Sequence, residues 1–246
     1  MPSKKEQVVV GIDLGHEHAY VSVWRDDAAR SWKIPGSWFV RGSVTQTSPG
    51  PAEQRLADFQ ERSVVAFTEF GCLVGNAADG CSQAVSVVVE IGKSLDVTRN
   101  TYPVQGNIRK TTSLSYQEGR WTAEHLLAVL LVHLKELAEA LAEVPITSVH
   151  LGLPGYFNPM QAARVITAAA YAGLEVKGCQ PSLLYALLPL ALERREEELV
   201  VLICRARDDH FEACSAKLDH GIVEALAFKA SALGAGEDCI RSVLRK

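Results

Sequence analysis

The chain has 246 residues, 48% of them hydrophobic and 22% charged, which is close to ordinary globular usage and excludes a disordered or fibrous chain. A net charge of −4 without any long basic tract argues against a nucleic-acid partner, since phosphates call for a footprint of Lys and Arg. The longest apolar stretches, Leu126 to Leu134 and Leu183 to Leu192, fall short of the ~20 residues that cross a bilayer, so no membrane partner is expected.

Met1 to Gln7 is polar and carries no apolar signal region, so a cytoplasmic location is expected. Val8 to Gly15 and Ala19 to Trp24 are rich in β-branched and aromatic residues and suit a hairpin. Gly36 to Glu61, dense in Gly, Ser, Pro and Gln, reads as irregular and peripheral before a strand over Ser63 to Phe67.

The leucines 126, 127, 130, 131, 134, 137 and 141 recur at helical spacing, which predicts a long helix capped by Thr122 and ended by Pro145. Val149 to Pro154 then reads as a buried strand feeding a helix from Pro159 to Ala172, with Gly173 as its C-terminal cap. A third helix is expected over Pro181 to Glu196, its charged end solvated. Strands over Leu199 to Cys204, His210 to Leu218 and Ile222 to Ala230 follow, then a helix after Gly236. The hairpin at Asp13 and the strand pair over 199–218 read as two copies of one unit. Six cysteines show no Cys-x-x-Cys spacing and read as reduced thiols.

Five segments occur in a telling order: Gly11-Ile12-Asp13-Leu14-Gly15; Val65-Ala66-Phe67-Thr68 with Gly75-Asn76-Ala77-Ala78; Leu153-Pro154-Gly155-Tyr156-Phe157-Asn158 with Gln161; Ala172-Gly173-Leu174; and Gly234-Ala235-Gly236-Glu237-Asp238. Together they resemble the N-terminal nucleotide-binding domain of the 70-kDa heat-shock chaperone family. That resemblance implies an α/β, actin-like ATPase (ribonuclease H-like) fold. Its first lobe would be complete over residues 1–192, and its second lobe would be only partly present over 193–246. It also implies a cleft in which two β-hairpin loops hold ATP, with the adenosine-binding segment, the interdomain linker and the peptide-binding domain outside this chain.

The same resemblance implies a degraded site. Asp13 and Gly15 remain in the first phosphate loop, but His16 and Glu17 replace two threonines, and a glutamate beside a triphosphate is a like-charge contact. The second loop aligns with Arg205-Ala206-Arg207-Asp208-Asp209-His210, without a glycine to let backbone N–H groups approach an anion. Arg205 replaces an acidic residue that would organise water around magnesium, a cation that wants oxygen ligands. The catalytic lysine aligns near Val88, and a glutamate aligns with Gln180.

The expectation is therefore a pseudo-ATPase that acts through protein partners, as a chaperone-related or co-chaperone module. Its catalytic positions Val88, Gln180 and Arg205 would be vestigial, as would the phosphate positions Asp13, Gly15, His16, Glu17, Arg207 and Asp208. No metal and no cofactor is expected, and Arg205 and Arg207 are expected to pair with Asp13 or Glu17. The alternative is a divergent chaperone ATPase that binds ATP and Mg, its remaining lobe outside this chain. His16-Glu17-His18 has no evident third ligand and reads as structural, and Gly92-Lys93-Ser94 lacks the preceding glycine of a phosphate loop and reads as a turn.

Overall fold

The computed structural model describes residues 7–15, 18–26, 55–68, 71–79, 86–88, 102–103, 120–206, 210–232 and 236–244. In chain order β1 (Gln7–Leu14), β2 (His18–Asp26) and β3 (Arg55–Arg62) come first, followed by β4 (Val65–Thr68), β5 (Gly71–Val74) and β6 (Ser86–Val88). A short pair, β7 (Tyr102–Pro103) and β8 (Arg120–Trp121), precedes helix α1 (Ala123–Ala142). Then come β9 (Ser148–Leu153), α2 (Pro159–Tyr171), β10 (Glu175–Pro181), α3 (Ser182–Tyr185) and α4 (Leu188–Glu193). The chain closes with β11 (Leu199–Ala206), β12 (His210–Asp219), β13 (Ile222–Ala232) and α5 (Gly236–Leu244).

Two sheets organise these elements. The first is mixed, in the order β10-β9-β1-β2-β3. Strands β1, β2 and β3 form an antiparallel meander, while β9 and β10 run parallel to β1 on its other side. The second sheet, β11-β12-β13, is an antiparallel meander. A smaller antiparallel sheet, β5-β4-β6, is separate in its hydrogen bonding but joins the core of the first sheet through Val65 and Phe67.

Helix α1 begins where the sequence predicts. The Thr122 hydroxyl accepts from the His125 N–H while the His125 ring accepts from the Thr122 N–H, a reciprocal cap that satisfies two end groups. Its buried face, Leu126, Leu127, Leu130, Leu131 and Leu134, shares one core with Val10, Ile12, Val21 and Leu151 of the first sheet. Helix α2 repeats the device with Asn158 and Gln161, and Gly173 follows its end at φ 70°. Helix α1 stops at Glu143, which is left-handed at φ 54°, two residues before the expected Pro145. The two helices are joined by Glu124 and Arg164, with Arg164 Nε 2.5 Å from Glu124 Oε1 and Nη2 3.2 Å from Oε2.

All of strand β3 but Arg62 lies within the segment expected to be irregular. It is an edge strand with little β propensity of its own, and pairing with β2 supplies what composition does not. The third helix also differs. Residues 175–181 form β10, and the helix is split into α3 and α4, because Pro189 lacks an N–H and its ring would clash with the Tyr185 carbonyl in a continuous helix.

On the second sheet, Leu183, Leu184, Leu187 and Ala191 from α3 and α4 pack against Cys214, Ala216 and Leu218 on one face. Helix α5 covers Ala213 and Ala227 on the other with Val243 and Ile240. Burial pushes the Cys214 thiol up to about 11 and raises Cys179, which keeps both as protonated hydrophobes.

Candidate functional site

The carboxyl ends of β1, β9 and β10 reach the same edge of the first sheet, the side on which open α/β sheets place their ligands. Asp13, one residue from the end of β1, is buried there. Its register partner on β9 is Gly152, and Gly152 in turn pairs with Gln180 of β10. The backbone therefore brings Asp13 and Gln180 to one end of three adjacent strands, with the Gln180 side chain exposed.

Pro181 ends β10, and the next residue, Ser182, turns its hydroxyl to Asp13. Ser182 Oγ donates to Asp13 Oδ1 and lies 3.1 Å from the Leu153 carbonyl. A hydrogen-bonded hydroxyl compensates part of the cost of burying a carboxylate. Gly15 closes the first hairpin by donating its N–H to the His18 carbonyl at 2.9 Å, and its own carbonyl accepts from Ser63 Oγ at 3.2 Å. His16 and Glu17, at the tip of that hairpin, lie outside the described residues.

The second hairpin, β11 with β12, contributes a fully buried carboxylate. Glu212 sits opposite Arg205 in the strand register and accepts from its Nε at 2.8 Å and Nη2 at 2.5 Å, both on Oε2. Its other oxygen, Oε1, accepts the Gly155 N–H at 2.7 Å. Gly155 lies in the turn between β9 and α2, so Glu212 ties the first sheet's carboxyl edge to the second sheet. Phe228 of β13 reinforces the joint, because a Cβ on Gly155 would lie 1.8 Å from its ring. No residue but glycine fits that approach without moving the ring.

Arg205 pairs with Glu212, while Glu17, one of its two expected partners, lies outside the described residues. A carboxylate directly across the ladder engages the guanidinium without the chain having to bridge between sheets. Arg207 and Asp208 lie outside the described residues. Val88 ends β6 opposite Val65, in a different sheet from Asp13. The structure therefore brings Asp13, Gly15, Gln180 and Arg205 to the neighbourhood of the two hairpins and leaves Val88 in the small sheet.

Sequence reasoning missed Glu212, Ser182 and Phe228. A signal existed for the first, since Arg205 and Glu212 stand symmetrically about the expected turn and Glu212 interrupts an otherwise apolar run. Near the site, burial lowers the His150 imidazole and pushes the Tyr185 phenol up to about 12, so each favours its neutral form. Among the described residues no three His, Cys, Asp or Glu side chains form a metal-binding group, and no helix is long and apolar enough to cross a membrane.

The profile of the family described as Hsp70 protein matches residues 60–238. Among curated proteins, the chain is similar to the Chaperone protein DnaK of Mycoplasma mobile, with 22% identity over 241 residues, which is 98% of this chain and 35% of that protein. The chain thus spans about a third of the length of that relative.

Proposed function

The chain belongs to the Hsp70 family, with the actin-like fold that membership implies, and on that premise we propose that it is a pseudo-ATPase module acting through protein partners. We read residues 1–192 as the first lobe and 193–246 as the beginning of the second. In this reading Val88, Gln180 and Arg205 are vestigial catalytic positions, and Asp13, Gly15, His16, Glu17, Arg207 and Asp208 are vestigial phosphate positions. Client proteins or co-chaperones in the cytoplasm are its partners.

The observation that carries the reading is the joint at Glu212. A nucleotide site between two hairpins needs glycine backbone that can approach phosphate, and oxygen ligands for magnesium. The described residues fit that group poorly. The base of the second hairpin carries a guanidinium held by Glu212, and that same carboxylate holds the Gly155 N–H. The joint links the two sheets directly through the Glu212 carboxylate.

Isothermal titration of the full chain with Mg-ATP tests the reading, and the expected result is no binding in the micromolar range. Micromolar binding would overturn it in favour of a divergent ATP-binding chaperone domain.

A further inference from the structure

We propose that His133 of α1 and Glu61 of β3 form a proton-operated clamp. When the imidazole gains its second proton it closes onto the carboxylate and fastens the turn at Gly75 and Asn76 between the strand and the helix. The clamp stands apart from the nucleotide reading, since neither residue is a candidate phosphate or catalytic position.

Glu61 pairs with Ala19 in the ladder of β3 with β2, and Ala19 lies in the core that α1 covers, so the Glu61 side chain faces the helix. Only 13% of that side chain and 29% of the His133 side chain are exposed. Glu61 Oε2 accepts the Asn76 N–H at 2.7 Å, which fixes the carboxylate on the turn that follows β5. The same oxygen lies 3.7 Å from His133 Nε2. The two atoms meet over Gly75, where a Cβ would fall 2.1 Å from Glu61 Oε2 and 3.3 Å from His133 Nε2, and where φ is 66°. Glycine is required at that corner on both counts.

Among the described residues His133 Nε2 is buried and makes no hydrogen bond. A neutral imidazole is mismatched there in either tautomer. With the proton on Nε2, the N–H stops short of the carboxylate at 3.7 Å, and with the proton on Nδ1 a lone pair faces an anion. The imidazolium supplies both the donor and the charge that the position calls for. An approach of about 1 Å brings Nε2 into the range of a charge-assisted hydrogen bond. Histidine is the side chain whose ordinary charge change falls between about pH 5 and 8.

Helix α1 packs against β1 to β5 and α2, and their described charges leave this contact to Glu61. Arg62 and His18, the next pair along the ladder, face the other side of the sheet, where Asp79 lies 3.3 Å from Arg62 Nε. Asp13 and Tyr20 pair on that side as well. Strand β4 has no ionisable residue, and the Cys72 thiol of β5 donates to the Leu73 carbonyl. On α2, Arg164 is bound to Glu124 and Tyr171 stacks on His125, both at the start of α1. On α1 itself Lys135 reaches toward Gly173 and Glu139 accepts the Ile146 N–H, while the exposed Glu136 has the same sign as Glu61 and adds to the attraction for a proton. Closure reaches the first hairpin. Asn76 Oδ1 accepts the Arg62 N–H and Asn76 Nδ2 donates to the Gln60 carbonyl, each at 3.1 Å, so the turn grips β3 on either side of Glu61. Ser63, next in line, holds the Gly15 carbonyl.

The clamp needs the proton, so the stability it adds is present in acid and lost as the pH rises through the histidine range, the folded chain binding more protons than the unfolded one. The test is amide hydrogen exchange of the full chain at about pH 7.5 and about pH 5.5, each rate corrected for the chemical effect of pH. Protection of residues 74–78 is expected to rise about fivefold in acid while that of residues 148–153 stays the same. His133→Gln should remove the rise, and His133→Lys, charged at both pH values, should show the acid protection at both. His18→Gln should leave the rise intact, because His18 faces away from α1. Equal protection at the two pH values in the wild-type chain would overturn the inference, and that comparison stands whether or not a variant folds. A rise that survives His133→Gln, or one that disappears in His18→Gln, would overturn it as well.

Discussion

The two three-stranded meanders are built alike and completed differently. In each, a leading strand turns through a short hairpin into the second strand, and the residue one before the last strand pair is a candidate site residue. That residue is Asp13 in the first hairpin, where Leu14 and Ala19 form the last pair, and Arg205 in the second, where Ala206 and Phe211 do. The first leading strand gains β9 and β10 on its outer side, whereas the second gains none among the described residues. Hairpin geometry is therefore local, while the environment at the hairpin's end is set by what docks beside it. Asp13 is buried against a hydroxyl from α3, and Arg205 is matched across the ladder by Glu212.

The sharpest way to break this comparison is to remove the contact that joins the two units. Glu212→Ala leaves a guanidinium partly buried and the Gly155 N–H without its carboxylate, and breaking a buried pair from one side costs about 3–5 kcal/mol. Urea denaturation should show that loss, and an unchanged midpoint would mean that Glu212 does not couple the sheets. Gly155→Ala should cost about 1–3 kcal/mol, because its Cβ must displace the Phe228 ring. The same change in a Phe228→Ala background should cost distinctly less, and equal costs in the two backgrounds would remove Phe228 from the joint.

The smallest effect sharpens the picture of the completed half. Hydrogen bonding from Arg164, above all, lowers the Glu124 carboxyl from 4.5 to about 2, against the upward push of burial. A native pKa below the unfolded one gives stability that is present above pH 4.5 and lost as the pH falls toward 2. Because the pair keeps some contact with solvent, about 1–2 kcal/mol is expected. Arg164→Leu should flatten the dependence of the denaturation midpoint on pH in that window, and an identical slope in both proteins would count against the pair.

Much of the architecture was legible because its signals are local. The leucine period of α1, the cap at Thr122, and the alternation of β11 to β13 each sit within a few residues. Strand β3 and strand β10 were not legible. Both are edge strands with charged sequences that become strands by pairing with β2 and β9, distant in the chain. The site divides in the same way. Asp13 and Gly15 announce themselves in a compact motif, but the partners Ser182 and Glu212 lie 169 residues from Asp13 and 57 from Gly155 respectively. Only the folded register makes them neighbours.

The pairing of β1 with β9 also imposes an order on the chain's birth. Gly11 must wait for His150 before its second ladder can form. At about 5–20 residues per second, that wait is on the order of ten seconds during synthesis. The second meander, by contrast, closes through successive hairpins soon after it emerges, the low-contact-order case that folds quickly. For those seconds β1 stands with its outer side unpaired. The nascent chain therefore passes through a stage at which the edge of β1 is open to a strand other than β9.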